Sequence, residues 1–190
     1  MEVQWSLEPG ILRDYLAYLF PPDPDTGYYR VSASNDLGRM MIGLLRDSDK
    51  PTGVPGPGTS TRESDSVIWL RIPESHATQQ FRDRWLYYTE PDAERLRMVL
   101  RACFDIDFMA YYYTGRLYGY QKKDIIDMYI VSRKLVNFEP FESLSKRVYR
   151  AECNRMRNIA GTLGRKAKYF DESLDKSGIN TDKPKKQYRI

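Results

Sequence analysis

From Thr89 onward apolar residues return every three or four positions through three successive segments, and this periodicity constrains the fold more than any other feature of the chain. In "EPDAERLRMVLRACFDIDF" the repeating residues are Leu96, Val99, Leu100, Cys103 and Phe104. Thr89 and Pro91 supply a helix start, and Gly115 the expected end. "KKDIIDMYIVSRKL", residues 122–135, turns Ile125, Ile126, Tyr129 and Ile130 to one side. Residues 135–139 then make a short connection, and Pro140 opens a last long helix.

The first half is less regular. Pro9 precedes Ile11, Leu12, Tyr15, Leu16, Leu19 and Phe20 at helical spacing, and "PPDPDTG" stops that helix. "YYRVS" suits a short strand, after which Ser34 or Asn35 can cap a helix burying Leu37, Met40, Met41, Leu44 and Leu45. Residues 1–46 are therefore expected to form a small N-terminal helical unit. Residues 47–66 are Pro, Gly, Ser and Asp with almost nothing to bury, the composition of a loop or flexible linker. "VIWLRIP" reads as a strand ended by Pro73, and Phe81, Trp85 and Leu86 suggest a modest helix between Ser75 and Tyr88. The expected architecture is mainly α with minor β. A mainly helical domain spans residues 67–170, ends in a helix-turn-helix-like pair, and is followed by a polar tail over 171–190.

Chemistry-bearing motifs are sparse. Gly53, Gly56 and Gly58 do not make a phosphate loop, because the interleaved prolines remove amide donors and no Lys-Ser/Thr follows. The sole histidine, His76, lies in a polar stretch with no nucleophile arrangement around it. One His with two distant thiols, Cys103 and Cys153, excludes a structural zinc site, and two cysteines are too few for a disulfide framework. Asp105 and Asp107 could share a divalent cation only on an extended segment, since on a helix they diverge by roughly 160°. Tyr149 as a recombinase nucleophile lacks a partner set of Arg and His. No enzymatic activity, metal or cofactor is expected. Tyrosines at 28–29, 87–88, 111–113, 118 and 120 suit packing, with stacking on single-stranded nucleic acid as the alternative. The absence of a long apolar run points to a soluble, cytoplasmic protein without a membrane segment.

Charge supplies the strongest functional signal. The chain is +4 overall, yet residues 143–170 hold eight Lys and Arg against Glu152 alone, so the remainder is net acidic. With 100° per residue, Phe141, Leu144, Glu152, Ile159 and Leu163 fall within roughly 60° of Val148, forming a stripe expected to face a core. Lys146, Arg150, Asn154, Arg157 and Lys168 cluster on the opposite side, flanked by Arg147 and Arg165. These seven are the candidate nucleic-acid contacts: cations for phosphates, with Asn154 and one Arg for base edges. Arg155 breaks the pattern by falling on the apolar side.

"KKDIIDMYIVSRKL" followed by "FESLSKRVYR" resembles the helix-turn-helix ends of small DNA-associated proteins of bacterial phages and mobile elements. The resemblance covers about 30 residues and implies association with duplex DNA in regulation, replication or packaging. A solvated charged face, an acidic protein partner, or a structural module that forms a homo-oligomer are the competing accounts of the same residues.

Overall fold

The structure is a computed structural model describing residues 1–50, 66–136 and 140–177, with side chains followed as far as Arg165. The architecture is mainly α with minor β. The chain divides into two compact units, Met1–Leu144 and Ser145–Ile190.

In the first unit, β1 (Glu2–Ser6) leads into α1 (Ile11–Leu19), β2 (Tyr29–Arg30), α2 (Asp36–Gly43) and β3 (Arg46–Ser48). From residue 66 onward come β4 (Val67–Arg71), a 3₁₀ turn at His76–Phe81, β5 (Trp85–Tyr87), α3 (Glu90–Leu117) and α4 (Lys122–Arg133). The last helix, α5, runs Pro140–Ser177 across the boundary between the units. The strand β4 lies at the centre of a three-stranded sheet, antiparallel to β1 and parallel to β2. Its alternation buries Ile68 and Leu70, followed by Ile72, while β1 contributes Val3 and Trp5, followed by Leu7. A second sheet pairs β3 with β5, antiparallel.

Two expectations change here. Residues 1–46 are not a self-contained unit, because both strands flanking β4 come from them and their sheet is complete only with Val67–Arg71. The modest helix expected between Ser75 and Tyr88 is instead a 3₁₀ turn followed by a strand. Leu86, placed opposite Asp47, is buried while Trp85 is exposed, so pairing with β3 overrides the helical spacing of the aromatics. Residues 51–65, which include Gly53, Gly56 and Gly58, lie outside the described residues.

Helix α3 is the spine of this unit, and α1, α2 and α4 all pack on it. Its buried row, Leu96, Leu100, Phe104, Phe108 and Tyr112, steps by four residues. Each step advances about 40°, so the row winds around the helix and can meet different neighbours along its length. In its second half Phe104 meets Tyr15 of α1 and, with Phe108, Tyr129 of α4. Helix ends follow their caps: the Asn35 Oδ1 accepts from the Gly38 amide at 2.7 Å, and the Thr89 hydroxyl accepts from the Asp92 amide. The buried Asp14 of α1 accepts from the Val136 amide at 2.9 Å, fastening the segment after α4 to the first helix.

Asp23 organises the turn before β2. Its buried carboxylate accepts from Arg30 Nε at 3.1 Å and from the Asp25 amide at 3.0 Å. The Arg30 guanidinium, helped by the Asp25 and Thr26 amides, holds this carboxyl below the usual carboxylate range. A lowered folded-state value means that the stabilisation is complete above the unfolded carboxyl's value near ~4 and is lost as pH falls through the folded one. Asp23→Asn should therefore lower Tm at neutral pH, and its gap from the wild type should close on acidification below about pH 4. A gap independent of pH across a thermal-melt series would contradict this.

Candidate nucleic-acid interface

Among the described residues of α5, the buried ones lie in its first turns. Leu144 and Val148, four residues apart on one face, are fully buried, and Ala151 and Cys153 are half-buried. From Asn154 to Arg165 every residue is exposed. This overturns part of the expected arrangement, because Ile159 and Leu163 are 46% and 61% exposed and do not face a core. Helical spacing determines which residues share a face; burial also requires another segment to cover that face. The same exposure removes the difficulty with Arg155, whose head is in solvent.

Of the seven candidate contacts, Lys146, Arg150, Asn154, Arg157 and Arg165 are exposed and Arg147 is half-buried. Lys168 is on the same helix, its side chain outside the described residues. The helix continues without interruption through Gly161 and Gly164 and past the expected start of the tail to Ser177. Thr162 bonds back to the Asn158 carbonyl at 2.8 Å, and Arg165 reaches the Thr162 hydroxyl. At 38 residues α5 is about 57 Å long, so the helical periodicity that aligns Lys146, Arg150, Asn154 and Arg157 operates over an unbroken rod.

The other sequence candidates resolve into structure. Asp105 and Asp107 both lie on α3, where helical geometry separates them. Asp107 accepts a two-pronged bond from Arg133 of α4, Nε to Oδ2 at 2.9 Å and Nη2 to Oδ1 at 3.0 Å, and a third bond from the Tyr129 hydroxyl. The Arg133 guanidinium also lies 4.5 Å from the centroid of Tyr18 and 5.3 Å from that of Tyr129. Burial, with the Asp107 charge, pushes the Tyr129 phenol above its ordinary value, so it remains a donor. This cluster joins α1, α3 and α4. Among the described residues no group of three or more His, Cys, Asp or Glu is placed to hold a metal. His76 is exposed, and Cys103 and Cys153 are both thiols. A hydrogen bond to Cys153 raises the Tyr149 phenol, the opposite of what a nucleophile needs.

Most of the tyrosines pack. Tyr29 and Tyr112 are buried, the Tyr88 hydroxyl donates to the Met41 carbonyl at 3.0 Å, and Tyr28 stacks on Trp69. Tyr118 and Tyr120 do not, being 79% and 51% exposed in the turn between α3 and α4. Nothing in their spacing separates them from the packed ones; only the neighbouring basic residues hint at a different role. Among the described residues no helix is long and apolar enough to cross a membrane. The chain matches no protein-family model, no curated protein and no solved structure.

Proposed function

We propose that this chain binds nucleic acid, duplex DNA in the first instance, through the basic face of α5. The observation that carries this is the solvent exposure of Lys146, Arg150, Asn154, Arg157 and Arg165 on a helix whose residues from 154 to 165 are all exposed. Cations spaced along one side of a rod match the spaced phosphates of a groove, and Asn154 among them is suited to a base edge. The resemblance of residues 122–150 to the helix-turn-helix ends of phage and mobile-element proteins supports the same ligand and a role of that kind.

The energetics add a consequence. Helices in proteins draw most of their stability from packing, and α5 beyond Cys153 has no buried residue through Arg165 while carrying two glycines, each costing about 1 kcal/mol relative to Ala. DNA binding should therefore raise helicity. Far-ultraviolet circular dichroism should show added helix on saturation with a ~20-base-pair duplex at low salt, reversed near 1 M salt, with log affinity falling roughly 0.9 per log salt for each phosphate contacted. Absence of any duplex binding at low salt removes the proposal.

One observation favours a second reading, self-association. Met156, Ile159 and Leu163 recur at three- and four-residue spacing and are 67%, 46% and 61% exposed. A solution mass rising with concentration in the absence of DNA would favour it.

A further inference from the structure

We infer that the turn between α3 and α4 is a second binding site, for single-stranded nucleic acid, with Tyr118 and Tyr120 as base-stacking platforms. It lies within the first unit and does not rest on the reading of α5. The last turn of α3 ends with Gly119 at φ +84°. The Tyr120 amide donates back to the Gly115 carbonyl at 3.1 Å, and the Gly119 amide to the Arg116 carbonyl at 3.1 Å. This paired closure after a left-handed glycine is a defined helix ending, so the two tyrosines are carried by a tight, internally bonded turn.

A fold that buries Phe104, Phe108, Tyr112 and Tyr129 completely, or nearly so, leaves Tyr118 at 79% exposure and the adjacent Leu117 at 88%. In the chain they are bracketed by Arg116 on one side and Lys122 and Lys123 on the other, with no acid between Arg116 and Asp124. Arg116 Nη1 donates to the Tyr120 carbonyl at 3.1 Å, which uses one of the five N–H groups a guanidinium carries and steadies the turn. Aromatic faces beside cations suit a strand whose bases are unpaired: bases stack on the rings without regard to sequence, and the phosphates between them meet the Arg and Lys. A duplex offers its bases only by their edges and cannot use such rings. A membrane surface would draw on the same cations but gains most from aliphatic side chains and Trp or Phe, and Leu117 is the one such residue between Arg116 and Lys122.

The test is fluorescence anisotropy of a labelled 15-nucleotide oligodeoxythymidine with the full chain at low salt. Tyr118→Ala/Tyr120→Ala should weaken binding by about tenfold or more, while Tyr118→Phe/Tyr120→Phe, which keeps both rings, should bind like the wild type. Both side chains are exposed, so the thermal transition should be unchanged, and duplex binding through α5 should be retained. Equal oligonucleotide affinity of the wild type and the Ala variant overturns the inference. So does a loss in the Ala variant confined to phosphatidylserine vesicles. Arg150→Glu/Arg157→Glu separates the two proposals, since it should weaken duplex binding by on the order of a hundredfold and leave the tyrosine-dependent affinity intact.

Discussion

Replacing Arg150 and Arg157 together by Glu should lower affinity for duplex DNA by on the order of a hundredfold at 0.1 M salt, the largest functional effect expected of any change in this chain. The magnitude follows from counterion release. Each phosphate neutralised contributes close to one power of ten at that salt, because log affinity falls by about 0.9 per log salt for every contact. Two contacts removed give roughly two powers of ten, and reversal of charge adds repulsion. The salt slope should fall by about two units, equally for all sequences. Asn154→Ala should behave differently, weakening the preferred sequence more than others if that side chain reads a base edge. Both arginines are exposed on α5, so the fold should tolerate Glu at either position. Undiminished binding by the double variant would show that α5 is a solvated face.

Asp107→Ala should produce the largest loss of stability among changes to polar side chains, about 2–3 kcal/mol in denaturant unfolding. The substitution leaves two donors without their acceptor at once: the Arg133 guanidinium, with only 17% of its side chain exposed, and the fully buried Tyr129 hydroxyl. Access of water to Asp107 itself, 29% exposed, keeps the cost below that of a fully buried pair. The Asp107 bond and charge hold the Arg133 guanidinium above its ordinary range, consistent with that coupling. Pairing Asp107→Ala with Arg133→Met should recover part of the loss, because the second change removes the stranded charge. Strictly additive effects would mean that the fork contributes nothing beyond its separate halves.

Helices α3, α4 and α5 were legible because their determinants are local. Apolar residues recur with the helical period, Thr89 caps α3, and Pro140 stands at the first position of α5. The end of α3 was misplaced by the same logic, since Gly115 reads as a terminator. In the fold Gly115 is interior to the helix, and a Cβ there would meet Ile125 Cγ1 at 2.8 Å, so this glycine serves the close approach of α4. The actual terminator is Gly119. Two strands were legible, β4 as the apolar run in "VIWLRIP" and β2 in "YYRVS"; β1, β3 and β5 were not, and each takes its conformation from a partner far away in the chain.

For the candidate sites the division is similar. Which cations share a face of α5 follows from spacing alone, because the helical period operates without reference to the rest of the molecule. Whether that helix is covered does not, and neither does the difference between Tyr112, buried against Phe108, and Tyr118, left in water a turn and a half later. By itself the sequence determined the backbone periods, the caps and the alignment of charge, all of which are set within a few residues. The tertiary structure alone decided burial, strand partnership and the pairing of Asp107 with Arg133, since each depends on where distant segments come to rest.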